Sequence, residues 1–314
     1  MRFIDDAAVE RRLDFPRLIE RLADAFRAES AVPLRHHHQI AVPGAAAGTL
    51  LLMPAWTLGG QLGIKLVTVF PDNRLRSLPT VLASVMLLSA ETGAPLALVA
   101  GRALTVRRTA AASALAARYL ARADAAHLVM VGTGALAPAL IAAHATVQPI
   151  RQVTVWGRDP AKARALAARL TLPGVALAAA EDLAGAVRRA DIVCCATLSQ
   201  VPLVAGDWLA PGAHLDLVGG FTPSMRETDD GAIRRAAVFV DTRAGATQEA
   251  GDIVQPLANG VLTIDAIRGD LYDLARGRVP GRTSRDEITL FKSVGCALED
   301  LAAAQLAFEG EDQS

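Results

Sequence analysis

The segment Val129-Met-Val-Gly132-Thr133-Gly134-Ala135-Leu-Ala137 spaces its small residues as a phosphate-cradling turn does. Gly132 permits a tight turn, Gly134 lets backbone approach a pyrophosphate, and Ala137 allows a following helix to pack closely on the preceding strand. The free N–H groups at the start of that helix would face the anion. The pattern alone is weak, because glycines mark many turns. Its place after an apolar strand and before a helix strengthens it. Further on, the run Val155-Trp156-Gly157-Arg158-Asp159 ends a second strand. An acid usually stands there to bind ribose hydroxyls. Trp156 and Gly157 take its place, and the guanidinium of Arg158 suits a 2′-phosphate, so NADPH is the expected cofactor with NADH possible. The alternative for Arg158 is an exposed loop arginine. Asp159, just before Pro160, reads as a helix N-cap.

Two cations stand in apolar company. Lys65 interrupts the strand pattern Gly63-Ile-Lys-Leu-Val-Thr-Val69, where a lysine must be paired, functional, or on a solvent-facing edge. Arg108 opens an Ala-rich stretch, Arg107–Leu120, where a cation opposes the helix dipole and needs a reason. A solvated face explains Arg107. For Arg108 a carboxylate is the better reason, since arginine grips one by two parallel hydrogen bonds and a lysine adds a point charge. In the run His36-His37-His38, the outer two would share a strand face and could hold a metal. No Cys or acid cluster accompanies them, so a solvated or pocket-lining strand is the simpler reading and no metal is expected. Ser113 and Ser293 lack an evident His partner. Cys194, Cys195 and Cys296 show no CxxC spacing and read as buried small hydrophobes.

The elements needed to position these groups follow from periodicity. Residues 5–30 read as one helix, with Val9, Leu13, Ile19, Leu22 and Phe26 at near-helical spacing. Short apolar runs at 48–53, 63–69 and 96–99 predict strands of an antiparallel or mixed sheet. From Ala126 the rhythm alternates: strands at 127–131, 152–156, 191–196, 215–218 and 238–241, and helices at 135–146, 160–170 and 182–190. Such alternation implies βαβ units and a parallel sheet. A last helix is expected at 289–306. The fold class is therefore α/β: a doubly wound Rossmann domain at 120–289, and a smaller α+β domain formed by 1–119 with 290–314.

Composition narrows the function. The 314 residues are 52% hydrophobic and 20% charged, enough for a large core. Thirty-two basic residues balance 32 acidic ones and aromatics are 4%, which argues against a nucleic-acid binder. No apolar run reaches the roughly 18 residues of a membrane span, and the N-terminus does not read as a signal peptide. A cytoplasmic protein without membrane contact is expected.

Seven segments in order carry a resemblance. They are Gly63-Ile-Lys65-Leu-Val, Leu104-Thr-Val-Arg-Arg108-Thr109-Ala-Ala-Ala-Ser113, the Gly132 motif, Ala190-Asp191-Ile-Val, Gly219-Gly-Phe-Thr-Pro223 with Glu227, Glu249-Ala-Gly251-Asp252, and Asp286-Glu-Ile-Thr289 through Ser293-Val-Gly295 to Asp300. Over essentially the whole chain this resembles the ornithine cyclodeaminase/μ-crystallin family. The resemblance implies a Rossmann domain, a second domain for substrate binding and dimerisation, and a homodimer. It implies that Lys65 and Arg108 hold a substrate carboxylate, with Arg35 as a further arginine and Thr80 and Met53 in the pocket. It implies cofactor contacts from Thr109, Gly132, Thr133, Gly134, Ala135, Ala137, Trp156, Gly157, Arg158, Thr197, Ser293, Val294 and Gly295. Two departures matter: cyclodeaminases carry an acid where this chain has Phe221, and a Glu where it has Leu51. The segment from Gly220 to Glu227 is instead similar to the ketimine reductase branch. The expected reaction is NAD(P)H-dependent reduction of a small cyclic imino acid, Δ1-pyrroline-2-carboxylate or Δ1-piperideine-2-carboxylate, with Lys65 or a water giving the proton. The alternatives are an ornithine cyclodeaminase or alanine dehydrogenase, and a non-catalytic binding protein, which would be expected to lose the Gly pattern or the Lys65/Arg108 pair.

Overall fold

In the computed structural model, which describes residues 1–310, the chain forms two compact units. The first comprises Met1–Arg108 together with the chain from Cys296 onward; the second is Thr109–Gly295. The last four residues of the expected 290–314 segment lie outside the described residues.

The first unit begins with β1 (Arg2–Ile4), α1 (Asp6–Arg12) and α2 (Phe15–Arg27). The single helix expected over 5–30 is thus two. Asp5 caps α1 by accepting the Ala8 N–H, and Asp14 caps α2 by accepting that of Arg17, with Pro16 in the first turn. A side chain that accepts backbone N–H bonds ends one helix and starts another. The strands β2 (His36–Ile40), β3 (Gly48–Trp56), β4 (Gln61–Val69), β5 (Val81–Ser89) and β6 (Pro95–Ala100) follow. They make a six-stranded sheet in the order β1-β6-β5-β4-β3-β2, antiparallel except for the β1–β6 pair. Three of its strands, β1, β2 and β5, lie outside the apolar runs that periodicity marked.

Helix α3 (Gly101–Leu120) starts six residues before the expected Arg107. The Asp6 carboxylate accepts the Ala103 N–H, so the signal for this helix start lies 97 residues away in sequence. Arg108 therefore lies two turns inside the helix, and the dipole argument does not apply to it. Burial is what demands a partner for it.

The second unit contains β7 (His127–Val131), α4 (Ala137–Val147), β8 (Gln152–Trp156), α5 (Pro160–Arg169), β9 (Ala176–Ala179), α6 (Leu183–Val187), β10 (Ile192–Cys195) and β11 (His214–Leu217). Then come α7 (Asp230–Arg235), β12 (Ala236–Val240), α8 (Arg243–Glu249), α9 (Gly251–Ala258), β13 (Ile267–Asp270), α10 (Leu271–Ala275) and β14 (Ile288–Lys292). All pairs in its eight-stranded sheet are parallel, in the order β13-β12-β14-β11-β10-β7-β8-β9. The chain winds outward from β7 to β9, then returns to β10 on the other side of β7. This is the doubly wound order, and its switch point lies between β7 and β10.

The helix expected over 289–306 is in fact β14 followed by α11 (Ala297–Glu309). All five residues of β14 are buried, because a central parallel strand is covered on both faces and shows no alternation. Residues 290–295 consequently belong to the parallel-sheet unit. In the first unit, α11 packs on β3, β4 and α2. Gly63 makes the close approach possible: a Cβ there would lie 3.1 Å from the Leu301 side chain and 3.5 Å from its Cα. Among the described residues, no helix is long and apolar enough to cross a membrane.

Candidate active site

In the first unit, β4 turns Gly63, Lys65 and Val67 toward α11. Lys65 is 3% exposed, and its Nζ lies 2.6 Å from Asp300 Oδ2. Arg108 is buried beside it; its Nε donates to Asp300 Oδ1 at 3.0 Å and its Nη1 to Glu299 Oε2 at 2.7 Å. Asp300 thus bridges the two cations. Nη2 of Arg108 has no hydrogen-bond partner among the described residues, and Lys65 keeps N–H groups beyond the one directed at Asp300. Burial lowers the Lys65 ammonium to about 8; Asp300 opposes this, while Arg108 and Arg35 add to it. Burial acts on Arg108 too, but Asp300 and Glu299 outweigh it and raise its pKa, so the guanidinium stays charged. The arrangement sets one permanent and one titratable cation side by side, a chemistry that could receive a carboxylate.

Of the other expected pocket residues, Met53 pairs directly across from Lys65 on β3 and is buried. Leu51 shares that face. Arg35 is half-buried and close enough to lower the Lys65 ammonium. Thr80 is not brought beside Lys65 by strand register. It precedes β5, its carbonyl accepts the Phe70 N–H, and Val85, which pairs with Lys65, stands about 17 Å further along the strand. Phe221 belongs to the second unit, on the loop after β11, and is 49% exposed. His36 and His38 pair with Leu52 and Leu50, on the sheet face opposite Met53 and Lys65, with their rings edge-on at 6.5 Å.

In the second unit the glycine turn follows β7 at the switch point. Gly132 has φ +122, and a Cβ there would lie 2.5 Å from the Ala196 carbonyl oxygen. A Cβ on Gly134 would meet nothing within 4 Å, so the backbone is bare on that side. Thr133, Ala135 and Ala137 lie on the same turn and on the start of α4, an 11-residue helix with Pro138 in its first turn. Gly157 must be small, because a Cβ would lie 2.8 Å from the Thr133 methyl. Trp156 ends β8, with its Nε1 donating to the Glu181 carbonyl. Arg158 is exposed and has no partner among the described residues, and Asp159 caps α5 as expected. The bare Gly134 backbone at the switch point and the following helix start together fit the pyrophosphate of a nicotinamide dinucleotide.

Loops beside this turn are fixed by buried carboxylates that motif reading did not single out as functional. Glu227 accepts the N–H and hydroxyl of Thr197 at 2.7 and 2.8 Å, and the Gly219 N–H at 2.8 Å. It thereby ties the loop after β10 to the loop after β11. Asp252 accepts the N–H groups of Glu227 and Thr228, and Lys292, fully buried, lies 3.3 Å from it. Burial raises the Glu227 carboxyl, Lys292 opposes that rise, and Asp252 adds to it. Asp241 accepts the N–H groups of Val294 and Gly295 at 2.7 and 2.6 Å, holding the turn in which Gly295 has φ +78. Ser293 is held by its N–H to the Leu217 carbonyl. Thr109 is buried in α3. Deeper in the core, Ser113, His144 and Cys194 all direct hydrogen-bond donors at Asp216. Burial pushes the Cys194 thiol well up, so it stays a protonated donor. The three cysteines are buried and none is in a disulfide. Acids standing in apolar runs, Glu299 and Asp300 above all, were the available signal for these contacts, since a buried carboxylate must have a partner.

This fold and these sites define a Rossmann-type oxidoreductase whose first unit carries a buried pair of cations. The chain belongs to the ornithine cyclodeaminase/mu-crystallin family, whose profile matches residues 1–313. It is 39% identical over 313 residues to a Delta(1)-pyrroline-2-carboxylate reductase of Colwellia psychrerythraea, covering 98% of this chain and 99% of that one. Among solved structures, it resembles the Thermococcus litoralis Delta(1)-pyrroline-2-carboxylate reductase in complex with NADH and L-proline. That match has a TM-score of 0.91 at 34% identity and covers 98% and 97% of the two chains. An archaeal alanine dehydrogenase dimer with bound NAD gives 0.90 at 28% identity, over 98% and 95%.

Replacing Gly134 by Ala adds a Cβ on the bare side of the turn, where no protein atom lies within 4 Å. The expected outcome is unchanged thermal stability and NADPH affinity weakened by about tenfold or more (~1.4 kcal/mol), read by fluorescence titration beside a melting curve.

Proposed function

We propose that this chain reduces a cyclic ketimine, Δ1-pyrroline-2-carboxylate or its six-membered homologue Δ1-piperideine-2-carboxylate, to L-proline or L-pipecolate, with NADPH as the preferred reductant. The observation that carries the reading is the buried Lys65–Arg108 pair, which keeps donors in hand after Asp300 and Glu299 are satisfied. Those donors match a small monocarboxylate: two N–H groups of Arg108 Nη2 for one oxygen edge, and the Lys65 ammonium as a point charge. The pyrroline-2-carboxylate reductases among its relatives support the same substrate class.

When bound, the dinucleotide supplies a hydride to the imine carbon. The turn at Gly132 and Gly134 would hold its pyrophosphate, and Arg158 its 2′-phosphate. An imine accepts a hydride far better once its nitrogen is protonated. Lys65, at about 8, is protonated at neutral pH yet close enough to that pH to release a proton, directly or through a water. Leu51 and Met53 offer apolar surface on the face that carries Lys65. Phe221 stands where a cyclodeaminase has an acid. It can neither accept a hydrogen bond from a substrate ammonium nor take up a proton, and an unpaired desolvated ammonium costs several kcal/mol.

A homodimer through the first unit's sheet completes the proposal. The face opposite Lys65 carries Leu50, Leu52, Leu66 and Leu82, of which Leu66 and Leu82 are exposed. Apolar side chains clustered on one face of a β-sheet suit a second copy of the same surface. The dimeric alanine dehydrogenase relative supports that occupant.

Three measurements test the proposal. NADPH oxidation with each imine should be fast, with an alkaline limb near pH 8, while ammonia release from L-ornithine with NAD⁺ should be absent; release at a comparable rate would overturn the assignment. Arg158→Ala should weaken NADPH on the order of 1.5–3 kcal/mol, the loss of one charge-assisted contact, and leave NADH binding unchanged. The double variant Leu66→Glu, Leu82→Glu should sediment as a monomer where the parent sediments as a dimer.

A further inference from the structure

Glu299 and Asp300 are consecutive on α11, so their side chains leave the helix about 100° apart. Both nevertheless reach Arg108, from different sides. Glu299 Oε2 takes Nη1 at 2.7 Å, and its Oε1 receives a long thiol contact from Cys296 at 3.8 Å. Asp300 splits its oxygens: Oδ1 takes Arg108 Nε at 3.0 Å, while Oδ2 lies 2.6 Å from Lys65 Nζ. All four groups are buried. We infer that Asp300 is a positioning residue that holds the Lys65 ammonium and the Arg108 guanidinium as one receptor, whereas Glu299, of these two cations, meets Arg108. The inference deepens the ketimine-reductase reading and rests on it for its kinetic consequence.

The charges around Lys65 make the division of labour measurable. They come from three elements: Asp300 on α11, Arg108 on α3, and Arg35 ahead of β2. Burial is the largest influence and lowers the ammonium; the two arginines lower it further, and Asp300 alone raises it. Removing the Asp300 charge leaves only lowering influences, so Lys65 loses its proton at lower pH. An opposite charge at contact distance is worth about 1–3 pH units to a titrating group. Removing the Glu299 charge leaves the partner of Lys65 in place and loosens Arg108. The carboxyl oxygen that orients Nε and the one that meets Nζ also fix the spacing of the two cations, which a receptor for a single carboxylate requires.

The test compares Asp300→Asn, Asp300→Glu and Glu299→Gln in the full-length protein. The alkaline limb of kcat/KM for Δ1-pyrroline-2-carboxylate should move down by about 1–3 pH units in Asp300→Asn and return toward the parent in Asp300→Glu. In Glu299→Gln the limb should stay near pH 8 while KM rises about tenfold or more. A purely structural role would lower the melting temperature of both variants and move neither limb. The Lys65 midpoint is read independently by NMR of ¹⁵N-lysine-labelled protein, with Lys65→Arg identifying the resonance. This measurement needs no substrate. A lower midpoint in Asp300→Asn, unchanged in Glu299→Gln, supports the inference even should the imine prove not to be the substrate. An unchanged midpoint in folded Asp300→Asn, or equal shifts in both variants, overturns it. Loss of activity on the imine in the parent protein, with the NMR midpoints behaving as stated, would instead count against the substrate assignment.

Discussion

Four charges buried together, Lys65, Arg108, Glu299 and Asp300, constrain the first unit more than any apolar contact does. A charge removed from water is tolerated only when a partner of opposite sign is held at contact distance, and breaking such a set costs about 3–5 kcal/mol. The members come from three parts of the chain: Lys65 from a central strand, Arg108 from the helix that follows the sheet, and the two acids from the last helix. The sheet, α3 and α11 must therefore all be in place before any of these groups is satisfied. Gly63 belongs to the same requirement, since its missing side chain lets α11 approach β4 closely enough for Asp300 to reach Lys65.

The parallel-sheet unit solves a related problem by different means. Its functional loops leave the C-terminal ends of β7, β10, β11 and β14, where a doubly wound fold places its ligand crevice. Loops there have no ladder of their own to satisfy their N–H groups. Glu227, Asp241 and Asp252 supply acceptors from within: they bind the backbone at Thr197 and Gly219, at Val294 and Gly295, and at Glu227 and Thr228. A carboxylate that accepts two or more backbone N–H bonds fixes a loop without occupying its outer surface. The turn that approaches the dinucleotide can then stay bare at Gly134. The first unit uses its buried carboxylates to hold side chains, and the second uses them to hold backbone.

Much of this architecture was readable one residue at a time. The βαβ rhythm from Ala126 and the strand at 152–156 came from short-range pattern, because a strand flanked by turn residues and followed by an amphipathic helix is a local signal. Lys65 and Arg108 were visible as charges in apolar company. Elements failed where the deciding contact was distant. The start of α3 was missed because its cap is Asp6, and the dipole reading of Arg108 fell with it. Strand β14 was read as helix because five buried residues on a central strand carry no alternation, and a short apolar run fits either period. The His36–His38 run drew attention by composition, yet register turns its outer members away from Lys65.

The sequence by itself determined the kinds of chemistry available: a glycine turn for a pyrophosphate, an arginine where a ribose acid would stand, two cations for a carboxylate, and Phe221 in place of an acid. These follow from residue type and local spacing, which need no knowledge of the fold. Only the tertiary structure decided how those groups are poised. That Lys65 is lowered to about 8, that Arg108 stays charged, and that Asp300 binds both depend on burial and on acidic partners 191 and more positions away. Desolvation and Coulomb attraction act through space, and distances through space are set by packing rather than by order along the chain.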